Sequence, residues 1–256
     1  MERKGVAAPV LWASSLAGLA LALGGALGYW WPRTSLRFTA AALGLAGGMM
    51  ASVALIDLLP RSVGQVGPVL AFAWSVAGLV VISAVERVIP HHSCANGRGE
   101  DHRGCHYAVP TASALPTISM IMVAGVIAVH NVMEGATVSV SYAAGGELGL
   151  GIAVAAGLHN LPIGMALAPS GQSRTARLAG LVILAVAGLA TPLGTLAGSR
   201  LFPLADRSFP TASAFVGGTM LALALWELMP RALVAHRGWA VAAALGGALA
   251  MHFLGD

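Results

Sequence analysis

Eight apolar runs, each close to the length that crosses a bilayer, follow one another along the chain. They fall at 9–31, 38–60, 68–90, 115–143, 147–169, 178–199, 209–231 and 236–254. About 20 apolar residues in a helix span the hydrocarbon core of a membrane. A helix also bonds its own backbone groups, as lipid demands. The rest of the composition leaves no other choice. Only 9% of the 256 residues are charged and 57% are hydrophobic, whereas a soluble domain carries about a quarter charged residues. Too little polar surface exists for a water-exposed shell. Glycine is abundant, at 33 residues, which suits close packing of membrane helices through small side chains. The first run is too long for the apolar core of a signal peptide and lacks a convincing cleavage site before the second. The expected fold is an all-α polytopic membrane protein, one transmembrane domain over residues 1–256.

The charges orient it. The net charge of +4 sits in short loops, with no basic patch interleaved with aromatic residues, so nucleic acid is not an expected partner. With the N-terminus outside, Arg33, Arg37, Arg87, Arg98, Arg103, Arg174, Arg177, Arg231 and Arg237 are cytoplasmic; Arg3, Lys4, Arg61, Arg200 and Arg207 are not. The excess of positive charge inside then favours both termini outside the cytoplasm. Cys94 and Cys105 share the loop after the third run. That loop is cytoplasmic in this orientation, where thiols stay reduced.

Two internal repeats are visible. Gly47–Arg61 (GGMMASVALIDLLPR) and Gly217–Arg231 (GGTMLALALWELMPR) agree at eight of fifteen positions, with Asp57 against Glu227. His130–Gly135 (HNVMEG) returns as His159–Gly164 (HNLPIG). The first repeat relates runs two and seven, the second runs four and five. Each pair points in opposite directions through the membrane. Inverted repeats of this kind place substrate sites near the midplane. The expected arrangement is eight helices in a 3+2+3 inverted repeat.

The polar residues of runs four and five carry the chemistry. His130 and Glu134 are one helical turn apart and share a face. An imidazole nitrogen and a carboxylate at that spacing can hold a divalent ion, and His159 would supply a third ligand with a fourth position open. Imidazole with carboxylate suits zinc, iron, nickel or cobalt. Asn131 and Asn160 accompany the two histidines. Pro162 frees the Leu158 carbonyl from its helical bond and favours a kink. Ionisable groups at this depth usually mark an ion path.

The chain resembles the ZIP (Zrt/Irt-like) family of divalent metal transporters, in a divergent prokaryotic-type form. The likeness rests on the two HN motifs, close to the family's HNxPEG, and on Gly188–Gly198 (GLATPLGTLAG), similar to GLxEPLG. The GGTM…ELMP stretch of run seven is similar to the family's GAM…E-I/L-x-P. The resemblance implies passage of Zn2+, and often Fe2+ or Mn2+, into the cytoplasm through a midplane site; Co2+ and Ni2+ share the ligand chemistry. It implies metal-site positions at His130, Glu134, Asn131, His159 and Asn160, and pathway positions at Met50 and Glu227. It also implies a metal-receiving loop within 91–110, where His91, His92, Cys94, His102, Cys105 and His106 stand. Asp57 and Glu227, each three residues before a proline, would sit at the two mouths.

Three departures from the family pattern stand out: Ile163 and Thr191 replace glutamates, and Met133 replaces a proline. The first two remove the carboxylates of a second metal site. Two divalent ions close together in a low dielectric need negative compensation. One ion is therefore expected, held by His130, Glu134 and His159. Two other readings compete. One is an intramembrane metal-dependent hydrolase, for which no HExxH motif or placed nucleophile exists. The other is a ZIP-like metal-binding protein without net transport. No enzyme activity is expected. The setting is a multi-pass protein of a lipid bilayer, leaning to a prokaryotic inner membrane, and a homodimer is compatible with the chain.

Overall fold

The computed structural model describes residues 8–30, 35–88, 117–168, 174–201 and 205–255. The regular structure among them is all helical. Helix α1 is Ala8–Trp30, and α2 runs Leu36–Val66. Gly67, at φ 81, turns the chain into α3, Pro68–Val88. That positive φ suits a residue without a Cβ. Helix α4 is Thr117–Ala144, α5 is Gly146–Leu167 and α6 is Arg174–Leu201. A last stretch runs from Ala205 to Gly255 but breaks at His236, which is extended (φ −169, ψ 106). It gives α7 (205–235) and α8 (237–255). The break falls between the two last apolar runs of the sequence.

Among the described residues, six helical stretches are long and apolar enough to cross a membrane: Ala8–Tyr29, Leu36–Val66, Pro68–Val85, Gly146–Leu167, Arg177–Arg200 and Phe209–Phe253. The last, at 45 residues, holds the His236 break within it. Their outer faces are apolar. Trp12, Leu16, Leu19, Leu23 and Leu27 form an exposed stripe down α1. Such a patch would be a liability in water and is what lipid contact requires. The His/Cys loop, from His91 to His106, lies outside the described residues.

Glycine sets which helices touch. A Cβ on Gly44 or Gly48 would lie 2.4 or 2.0 Å from the carbonyl oxygens of Ala240 and Ala244, so α2 runs beside α8 in the same direction. In α1, Gly24 and Gly28 meet Leu161 and Met165 of α5, again in parallel. In α6, Gly194 and Gly198 meet Val132 and Ala136 of α4 in the same way. Helices α1 and α6 run antiparallel, with Gly18 and Gly188 each against the other's carbonyl. Adding 170 to an α1 position gives its α6 counterpart, and adding 29 to an α4 position gives its α5 counterpart. The two packings are thus copies of one another. The α1/α6 copy was not anticipated from sequence, yet residues 17–28 and 187–198 share Ala, Gly, Leu, Ala, Leu, Gly and Gly in register.

Both segments of the first sequence repeat widen into π turns, at Val53–Leu58 and Leu223–Leu228. The cause is the proline that follows each. Pro60 and Pro230 have no N–H, and the ring crowds the carbonyl four residues back. The preceding amide then reaches one residue further. Leu59 N–H bonds the Ala54 carbonyl, and Met229 N–H bonds that of Ala224. Asp57 and Glu227 sit within these wide turns.

Candidate metal centre

Helices α4 and α5 are joined by Gly145 alone, so they form a tight hairpin. His130 lies 15 residues before that turn and His159 lies 14 after it. At about 1.5 Å per residue the two reach the same depth, roughly 22 Å from the bend. Helix α5 stays helical through Pro162. Pro162 is itself buried in the packing of α5.

His130, Glu134 and His159 converge. Their ligand atoms all lie within 4.8 Å of one another, and all three side chains are buried, at 2%, 1% and 0% exposure. The imidazole centroids are 6.1 Å apart and tilted by 56°. His159 Nε2 lies 3.2 Å from Glu134 Oε1. The approach is within ion-pair range but not aligned as a hydrogen bond, for both atoms are without a hydrogen-bond partner. All four ring nitrogens and both carboxylate oxygens share that condition. Each buried unpaired polar group costs about 1–3 kcal/mol. Six such atoms on three converging side chains are tolerable only if something occupies the space between those chains. A cation fits that donor set. Tetrahedral zinc with bonds of about 2.1 Å holds ligand atoms about 3.4 Å apart, close to the 3.2 Å already separating His159 Nε2 from Glu134 Oε1.

The asparagines face elsewhere with one end. Asn131 Nδ2 donates to the Ala187 carbonyl of α6 at 3.1 Å, and Asn160 Nδ2 donates to the Ala17 carbonyl of α1 at 3.2 Å. These two bonds are copies under the repeat. Each ties a central helix to an outer one. The two Oδ1 atoms stay buried and unpartnered. Thr191 is fully buried, its hydroxyl without a partner, against Gly135 and Gly18. Thr195 below it donates to the Gly135 carbonyl at 3.0 Å.

Ile163 fills the place that mirrors Glu134. It is buried and lines a cavity of about 20 Å³ with Met50, His130 and Glu227, walled by Val126, Ile127, Leu223 and Leu228. One water needs roughly 10–15 Å³. Met50 and Glu227 thus stand beside the trio. Asp57 does not reach it and pairs with Arg61 at 3.7 Å on its own helix. Glu227 pairs with Arg231 in the same i, i+4 relation. Sequence reading singled out the acids but not these arginines, although both repeats spell acid-x-x-Pro-Arg.

No family model matches the chain. Curated proteins do. The chain is 32% identical, over 229 residues, to proteins named zinc transporter ZupT from Shigella dysenteriae serotype 1 (strain Sd197), Escherichia coli O127:H6 and Enterobacter sp. (strain 638). The match covers 85% of this chain and 84% of each relative. The chain belongs to the ZIP family. It is accordingly a multi-pass membrane protein. Within the ZIP family pattern, the trio of His130, Glu134 and His159 occupies the HN-motif positions of α4 and α5, and the two departures at Ile163 and Thr191 both lie within this buried region.

Proposed function

We propose that this ZIP protein carries a divalent metal ion, Zn2+ in the first place, toward the cytoplasm through one site formed by His130, Glu134 and His159. The observation that carries the reading is the trio itself: three buried donors from two helices, at one depth, with no other partners. The relatives' name, zinc transporter, agrees. None of them is named as an enzyme, and a hydrolase is not needed to explain the centre. The ligand chemistry also admits Fe2+, Mn2+, Co2+ and Ni2+.

The site holds one ion. With two neutral imidazoles and one carboxylate, the loaded centre keeps roughly one positive charge. Its affinity is therefore modest, which favours release. Asn131, Asn160 and Thr191 bring oxygen but no charge, so a second divalent ion beside the first lacks compensation. The asparagines hold α6 and α1 in place around the hairpin, with each Oδ1 left to face the path.

Eight spans in a 3+2+3 inverted repeat account for the packing. The His236 break within the 45-residue stretch supports two crossings there. The parallel pairs α1–α5, α4–α6 and α2–α8, and the antiparallel pair α1–α6, all have the directions that eight alternating crossings require. The arginine distribution then sets both termini outside the cytoplasm, in a prokaryotic inner membrane. The His/Cys loop would receive metal on the cytoplasmic side.

The test is uptake of radiolabelled Zn2+ into proteoliposomes. The wild-type chain should accumulate zinc above empty vesicles, and the His130→Ala/Glu134→Ala double variant should reduce the rate at least tenfold. Full transport by that variant would remove the site from the path. Zinc binding without uptake by the wild type would show a metal-binding protein instead.

A further inference from the structure

The cavity beside the centre has a feature that the metal pathway alone does not require. Its only carboxylate among the described lining residues, Glu227, is already engaged by a cation of the chain itself. The guanidinium of Arg231 lies against Glu227 Oε1, one turn on, and both side chains are only 16% exposed. The pairing is built into the backbone. The π turn at Leu223–Leu228 and the proline at 230 fix where Glu227 projects relative to Arg231. The opposite repeat carries the same acid, proline and arginine at Asp57, Pro60 and Arg61. There the pair lies 3.7 Å apart and is more exposed, at 26% and 44%. The more buried pair is the one whose acid shares a cavity with His130.

A bare carboxylate in that cavity would hold a divalent ion strongly. Charges interact far more strongly there than in water. An ion leaving His130, Glu134 and His159 by this route would stop at Glu227. We infer that Arg231 is a resident competitor: a tethered cation that occupies Glu227 and prevents it from becoming a second, trapping metal site. An ion in the cavity meets a neutral pair rather than a free charge. It passes Glu227 only by displacing the guanidinium, and Arg231 returns when the ion has gone. Arg231 thus sets the affinity of the route through Glu227 without touching the metal. This rests on the transport reading above and adds a residue that lies outside the donor set.

The experiment is a double-mutant cycle read by zinc titration calorimetry on the purified full-length chain in detergent. Arg231→Gln should tighten apparent Zn2+ binding about three- to tenfold, the scale of a partly buried ion pair. Glu227→Gln should weaken or barely change it. The Arg231→Gln/Glu227→Gln double variant should match Glu227→Gln alone, because Arg231 acts only through that carboxylate. Arg231→Lys keeps the charge and should fall between wild type and Arg231→Gln; it also serves if the glutamine variant fails to elute as a folded species. Tightening that persists in the Glu227→Gln background, or Arg231→Gln and Arg231→Lys both within twofold of wild type, overturns the inference. If the wild type binds zinc and loses it in His130→Ala/Glu134→Ala, such a result strikes the arginine role alone. If the wild type binds no zinc, the transport reading fails and the arginine role with it.

Discussion

Ile163 is the residue that makes this centre asymmetric. It stands where the repeat would place a partner for Glu134, and it is buried beside His130. One carboxylate supports one divalent ion. Ile163→Glu with Thr191→Glu adds two charges within the same buried region and should raise the zinc stoichiometry in calorimetry from one to two per chain. Two ions bound by the unmodified protein would contradict the single-site reading. The asparagines work differently. Each spends its amide N–H on a carbonyl of an outer helix. Hydrogen bonds between membrane helices contribute about 0.6 kcal/mol on average, and up to about 1.7. Asn131→Ala and Asn160→Ala should therefore each lower stability by about 1 kcal/mol in a denaturant titration, and by similar amounts, since the two bonds are copies. The HN motifs put each asparagine next to a histidine in the sequence. The sequence could not show the carbonyl bonds, because a backbone acceptor such as Ala17 or Ala187 leaves no mark in the side chains.

Among the elements, α1 and α6 matter more than their plain composition suggests. They meet at Gly18 and Gly188, where a Cβ on either would lie 2.1 or 2.2 Å from the other's carbonyl oxygen. Backbone cannot yield as a flexible side chain does. Gly188→Val should cost about 2 kcal/mol, within the range for overpacked cores, and shift the thermal unfolding midpoint down accordingly. Gly246→Ala is the control: nothing lies within 4 Å of a Cβ there, and alanine favours helix over glycine by about 0.5–1 kcal/mol. A midpoint for Gly188→Val equal to that of Gly246→Ala would rule out the close approach. The α2 and α7 repeat was plain in the sequence because it carries Gly-Gly, an acid and Pro-Arg. The α1 and α6 repeat is written in alanine, leucine and glycine, which any membrane helix contains. Only the structure separates the shared register from background. The π turns were likewise out of reach, although the prolines that cause them were in view.

For the whole molecule, the Gly145 turn of the α4–α5 hairpin sets His130 and His159 at about equal depth. The apolar runs gave the helices to within a few residues, with α2 extending past its expected end at 60 to Val66. The break between the last two runs appears at His236. Spacing of four residues paired His130 with Glu134; only the hairpin brings His159 to them. Transport through this hairpin therefore depends on where the metal sits. Anomalous scattering at the zinc edge from zinc-loaded protein tests that most directly. One peak per chain is expected, within bonding distance of His130, Glu134 and His159. Two peaks in this region, or a single peak away from these three residues, would contradict it.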